Sequence, residues 1–201
     1  MNKTVIAVVG CGRICHTHMK AFSSFDNVRV KYGCDLIREK AEKMKEDFPF
    51  IEKTVVDYKE ALNDPEVEAV YVLTPNYAHY TVTMDALRAG KDVLCEKPIS
   101  NDLVCAKKMV DKAEEKGVCF ALDFNHRFTP AALTAKKWQD EGRLGDLLFC
   151  NMALWIGKPQ DFESPYYHLK ALNPHSCEII RYFMGDVEAV QCFAMKSPGR
   201  T

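Results

Sequence analysis

The sequence predicts an α/β fold, with a doubly wound parallel sheet over residues 1–122 and a smaller, incomplete α+β unit over 123–201. Three observations carry this expectation. Short apolar runs alternate with longer amphipathic ones, the rhythm of parallel strands joined by crossover helices. The first apolar run, 4–9, leads straight into Gly10-Cys11-Gly12, a strand-to-helix turn signal. After Leu122 the alternation stops and an aromatic and basic stretch, 124–128, takes over.

Each element follows from its local pattern. Residues 4–9 read as a buried strand, 13–25 as a helix and 28–34 as a second strand. Over 36–47 charges occupy one face while Leu36, Ile37 and Met44, with Phe48 beyond, line another, which is helical spacing. A brief strand at 53–56 precedes a helix at 58–62 that Asn63-Asp64-Pro65 ends. The wholly apolar run 69–73 is a central strand, 77–89 a helix stopped by Gly90, and 92–95 another strand. Ser100 or Asn101 caps a helix whose Leu103, Ala106, Met109, Val110 and Ala113 form one stripe, with Gly117 at its end. A sixth strand spans 118–122. Beyond it come a helix ending near Glu141, a strand at 147–155, a helix from Asn173 and Pro174 to Met184, and a strand at 187–195. Two strands are few for an independent sheet.

Composition narrows the function classes. The 27 basic and 28 acidic residues nearly cancel, which gives no bulk attraction for nucleic acid or an anionic membrane. No apolar run approaches a membrane span, and the six residues between Lys3 and Gly10 are too few for a signal-peptide core, so a cytoplasmic protein is expected. The nine cysteines are odd in number. Several of them (Cys34, Cys95, Cys119, Cys150) sit in strand-like runs, where they read as reduced small hydrophobes. Cys11, Cys15, His16 and His18, and likewise His175, Cys177 and Glu178, lack the second ligand arm of a zinc site, so no metal is expected.

The chemistry-bearing residues gather at the predicted carboxyl edge of the sheet. Gly10 permits the tight turn, and Gly12, with Arg13 and Ile14 opening the helix, lets an anionic pyrophosphate approach the backbone N–H groups. Cys15 stands where the third glycine of such a turn packs helix on strand. Asp35, ending the second strand, is placed to accept hydrogen bonds from a ribose and to repel a 2′-phosphate, which favours NAD over NADP. Arg38, one turn on, argues the other way. Thr74-Pro75-Asn76 and Glu96-Lys97-Pro98 end the fourth and fifth strands, where open α/β sheets bind ligands. Strand alternation sends Glu96 and Lys97 to opposite sides.

Gly10-x-Gly12-x-x-Cys15-x-x-His18, Thr74-Pro75-Asn76-x-x-His79, Glu96-Lys97-Pro98 and Asn125-x-Arg127-Phe128-x-Pro130 occur in the order seen in the glucose-fructose oxidoreductase, inositol dehydrogenase and rhizopine-catabolism (Gfo/Idh/MocA) family, which this chain resembles from the first strand onward. The resemblance implies a Rossmann-type NAD(P)-binding domain over 1–122 and the start of a substrate and oligomerisation domain over 123–201. It implies that Lys97 is the catalytic lysine beside the nicotinamide and that Thr74, Pro75, Asn76, His79 and Glu96 line the cofactor groove. Arg127, Trp155 and His175 fall to the substrate side. Implied with them are a sugar or polyol substrate and a homo-oligomer formed through the C-terminal sheet. The family continues beyond the position of Thr201, so the second domain is expected to be cut short.

The resemblance is imperfect in the second unit. Polyol dehydrogenases of the family carry Asp-x-Gly-x-His-x-x-Asp, where this chain has Ala171-Leu172-Asn173-Pro174-His175-Ser176-Cys177-Glu178. His175 persists, and the helix dipole at its first-turn position favours a neutral imidazole. The expected reaction is hydride transfer between a secondary alcohol and the nicotinamide, with Lys97 and His175 handling the proton. Ala171 in place of a carboxylate keeps two other readings open: an NAD-dependent glycosidase working by transient oxidation and elimination, and a non-catalytic dinucleotide-binding regulator.

Overall fold

The computed structural model describes residues 3–154 and 173–193. Strands β1 (Thr4–Val9), β2 (Val28–Cys34), β3 (Lys53–Val55), β4 (Ala69–Val72), β5 (Asp92–Cys95) and β6 (Phe120–Leu122) form one sheet in the order β3-β2-β1-β4-β5-β6. Every adjacent pair is parallel. The chain starts mid-sheet, runs outward to β3, then crosses back to β4, so strand order reverses beside β1. At that switch point the carboxyl ends of β1 and β4 diverge into a crevice.

The connecting helices are α1 (Arg13–Phe22), α2 (Arg38–Asp47), α3 (Lys59–Leu62), α4 (His79–Arg88) and α5 (Leu103–Lys116), followed by α6 (Pro130–Asp140) and α7 (Pro174–Met184). Alternation along β1 fills two cores. Val5, Ala7 and Val9 meet Leu87, Met109 and Ala113 on one face, while Ile6 and Val8 meet Cys15, Met19 and Met44 on the other.

Boundaries differ from the sequence expectation where side chains compete for the backbone. Helix α1 stops at Phe22 because the Ser23 and Ser24 hydroxyls donate to the carbonyls of Lys20 and Ala21, each at 2.7 Å. Helix α2 begins at Arg38 because Asp35 Oδ1 accepts the Ile37 N–H at 2.9 Å and holds 35–37 in a turn. The cap of α5 is Asp102, whose Oδ1 accepts the Cys105 N–H at 2.8 Å; Ser100 supports it by accepting the Asp102 N–H, and Asn101 is not the cap. Asn173 precedes α7 without a side-chain capping bond. A 3₁₀ turn at Asn76–Ala78 replaces the first predicted turn of α4.

The two strands expected in the second unit are not formed over their described parts, 147–154 and 187–193. A strand needs a neighbour for its N–H and C=O groups, and none among the described residues pairs with either segment. Leu148, Phe149, Val190 and Phe193 remain largely exposed. Trp155 and residues 194–195 lie outside the described residues. All nine cysteines are unpaired; Cys34 and Cys95 are buried as expected, whereas Cys119, just ahead of β6, and Cys150 are exposed.

Candidate functional site

The glycine turn is fixed by the sheet beneath it. Gly10 has φ +102°, and a Cβ there would lie 2.6 Å from the Leu73 carbonyl oxygen and 2.8 Å from the Thr74 nitrogen. Only glycine lets β1 turn this close to the end of β4. Gly12 is the opposite case, because a Cβ built on it meets nothing within 4 Å. It caps α1 with no side-chain hydrogen bond, and the first turn of α1, with Arg13 and Ile14 exposed, contains no acidic residue. The N–H groups at this open end suit an anion such as a diphosphate. Cys15 is fully buried with Cys11 in the helix-to-sheet packing. A hydrogen bond with Cys11 and burial push its thiol far up, so it is a packing group and not a nucleophile.

Asp35 reaches back to this turn. Its Oδ2 accepts the Cys11 N–H at 2.9 Å, so the carboxylate ties the end of β2 to the glycine loop. Beside it a largely apolar cavity of about 260 Å³ is lined by Gly10, Asp35, Ile37, Thr74, Pro75 and Val82 among others, a space suited to an adenosine. Arg38 points along the helix surface toward Glu42, at 3.9 Å.

At the carboxyl ends of β4 and β5 a second cleft brings Ile14, Thr74, Asn76, His79, Glu96 and Lys97 together with Asn125 and His175. His79 is fully buried, with Nδ1 2.7 Å from the Pro98 carbonyl and Nε2 2.9 Å from the Thr74 carbonyl, so it joins the two strand ends. Thr74 Oγ1 is buried and has no hydrogen-bond partner among the described residues, which leaves a donor for a ligand. The glycine cradle, the uncapped helix end and this orphaned hydroxyl fit a dinucleotide.

His175 enters the same cleft from the first turn of α7. Its ring stacks on His126 with centroids 4.0 Å apart and meets the edge of Phe124 at 6.1 Å. Burial, then the neighbouring His126 and Lys97, push its pKa down to about 4, with Asp123 opposing, so the imidazole is neutral at neutral pH. Arg127 does not line this cleft. It pairs with Glu178 and lies over the Tyr182 ring, 4.6 Å from the centroid, in an adjoining groove where it anchors α7. Trp155 lies outside the described residues.

Glu96, largely buried where it lines the cleft, meets His18 and Asp123 on its inner side. His18 Nε2 stands 3.6 Å from Glu96 Oε1 and 3.3 Å from Asp123 Oδ2. Burial works against charge on His18, but Asp123 and Glu96 outweigh it and raise the pKa to about 9. Their ligand-type atoms lie within 4.8 Å of one another. As an imidazolium His18 supplies one positive charge between the two carboxylates. The cysteine and histidine group around the glycine turn disperses: His16 faces Asp47 and Phe48 on the outer side of α1, away from His18. Asp123 and His126 were missed as site residues because their partners arrive from other elements. The one available signal was that Asp123 follows an apolar strand at the same edge as Thr74 and Glu96.

Residues 4–124 match the family model GFO_IDH_MocA, described as an oxidoreductase family with an NAD-binding Rossmann fold. The chain is similar to levoglucosan dehydrogenase of Pseudarthrobacter phenanthrenivorans, 31% identical over 69% of this chain and 38% of the relative. It is also similar to inositol 2-dehydrogenase/D-chiro-inositol 3-dehydrogenase of Lactiplantibacillus plantarum, 30% identical over 80% of this chain and 47% of that protein. Among solved structures it resembles an NAD-binding oxidoreductase from Klebsiella pneumoniae, with TM-score 0.65 and 32% identity over 71% of this chain and 40% of the other. A levoglucosan dehydrogenase in complex with NADH shares the fold, with TM-score 0.80 and 24% identity over 92% of this chain and 55% of the other. The chain thus spans between 38% and 47% of the two curated relatives it matches.

Proposed function

The chain belongs to the Gfo/Idh/MocA oxidoreductase family, and on that premise we propose that it is part of an NAD-dependent dehydrogenase acting on a secondary alcohol of a sugar or polyol. The observation that carries the reading is the meeting of Lys97 and His175 in one cleft with Thr74 and Asn76, at the switch point beside the Gly10 turn. The N-terminus of α1 would hold the diphosphate, Asp35 the adenosine ribose, and Thr74 Oγ1 a cofactor oxygen. Bound NAD supplies the hydride acceptor of the oxidation.

The chain's own residues handle the proton. Lys97 Nζ takes the hydroxyl proton as the alcohol is oxidised, and neutral His175 hydrogen-bonds the same oxygen without adding charge. Retention of a carboxylate at Asp35 supports NAD over NADP. The names of the two curated relatives support a cyclic sugar or polyol as substrate. The boundary at 122/123, Arg127 and Trp155 on the substrate side, and a cytoplasmic homo-oligomer formed through the C-terminal sheet belong to the same proposal.

Nicotinamide absorbance assays on a polyol and aldose panel, run on the active protein, test it. Lys97→Met should lower turnover by about 10² to 10⁴-fold, the usual contribution of general acid–base catalysis, and should change cofactor affinity far less. Near wild-type turnover in Lys97→Met would remove Lys97 from the chemistry.

A further inference from the structure

The reaction scheme leaves the buried cluster on the inner side of the cleft without a task. His18 lies on α1, Glu96 directly precedes Lys97 after β5, and Asp123 directly follows β6. Their side chains are only 10–16% exposed. We propose that His18, as an imidazolium, is a positioning residue for Lys97 that clamps the cofactor-binding helix, the end of β5 and the entry to the second region into one arrangement. The inference rests on the reading of Lys97 given above.

Four contacts give the clamp its reach. His18 Nε2 faces both carboxylates, at 3.3 and 3.6 Å, and so holds together two buried anions that would otherwise repel. The second oxygen of Glu96, Oε2, accepts the Lys97 N–H at 3.1 Å, so a displaced Glu96 displaces the backbone of Lys97. Asp123 is tied to the same strand end, its N–H donating to the Cys95 carbonyl at 2.9 Å. Rings wall the imidazole on its other sides, Tyr71 from β4 and Phe22 from its own helix, each with centroids 6.2 Å away. The titratable groups around His18 are therefore Glu96, Asp123 and Tyr71, with Lys97 and His175 beyond them.

The cluster has a direction in pH. Burial lowers the pKa of His18, but the two carboxylates raise it to about 9, above its ordinary 6.5. Asp123 is correspondingly held below the usual carboxylate range, first by its bond to His18. The clamp is complete below pH 6.5 and is lost as pH rises through about 9.

Two measurements test this. In the chain with isotope-labelled histidines, the His18 ring should titrate by NMR with a midpoint near 9; a midpoint at or below 6.5 overturns the clamp. In the active protein, His18→Gln keeps an N–H donor and removes the charge. Its kcat should fall by about 10- to 100-fold, the scale of a misplaced catalytic group, with KM for NAD much less affected and the alkaline limb near pH 9 abolished. Wild-type kcat with an unchanged alkaline limb overturns the proposal. Should His18→Gln not fold, Asp123→Asn must move the His18 midpoint downward, and an unmoved midpoint overturns it equally. Failure of the Lys97 reading is seen separately, in the turnover of Lys97→Met, a substitution that leaves both carboxylates facing His18 in place.

Discussion

The sheet region and the region after β6 treat similar apolar patterns in opposite ways. In β1 and β4, Ile6, Val8, Val70 and Val72 are no more than 1% exposed, because strands and helices cover both faces. In 147–154 and 187–193, runs of comparable hydrophobicity form no strand, and Leu148, Phe149, Val190 and Phe193 are 82–87% exposed. Periodicity tells a residue which face it would occupy. Whether the face exists depends on a neighbour, which in the sheet region is supplied by the next crossover and in the second region is not found among the described residues.

That contrast can be broken at several strengths. The largest effect is expected at Gly10, where nothing can yield: Gly10→Ala sets a Cβ 2.6 Å from the Leu73 carbonyl at a left-handed φ and should destabilise the chain by about 3 kcal/mol or more. Chemical denaturation would show it, with Gly12→Ala as the control costing about 1 kcal/mol or less. Next, Met109→Ala removes a side chain with no exposure and should cost about 2 to 5 kcal/mol. Phe149→Ser, at 82% exposure, should cost less than about 0.5 kcal/mol. Equal losses in the two variants would mean that Phe149 is covered in solution and the contrast is false.

The two regions should also answer pH with opposite signs. His18 has a raised pKa of about 9, so its contribution is complete below 6.5 and declines as pH rises toward 9. His175 has a lowered pKa of about 4, so its contribution is complete above 6.5 and declines as pH falls toward 4. Urea midpoints at several pH values should therefore fall on both sides of about 6.5. A loss on the alkaline side alone would indicate that α7 unfolds apart from the sheet. The smallest effect concerns cofactor choice. Asp35→Ser should narrow the preference for NADH over NADPH in paired titrations, and an unchanged ratio would move the discrimination elsewhere.

Much of this was legible in the sequence because it is local. The succession of six strands along the chain, the Gly10 turn and the places of Thr74 and Lys97 at strand ends follow from apolar runs and the residues that end them. The start of α2 and the cap of α5 were misread by one or two residues because Asp35 and Asp102 bond the backbone in ways that hydrophobic spacing does not encode. The partners of Glu96 were not legible. Its place at a strand end suggested the cofactor groove, whose cleft it lines, but its partners His18 and Asp123 lie 78 positions before it and 27 after it in the chain. The tie of Arg127 to Glu178 was likewise not legible, because that buried carboxylate arrives from α7, 51 positions on.

The central claim is that the open N-terminus of α1 at Gly12 receives a dinucleotide, and fluorescence titration of the chain with NADH tests it most directly. The account predicts saturable binding by the wild-type chain and its loss in Gly12→Val, whose side chain fills the open approach from a Cβ that meets nothing in the fold within 4 Å. Undiminished NADH binding by a folded Gly12→Val variant, or no saturable binding by the wild-type chain, would contradict it.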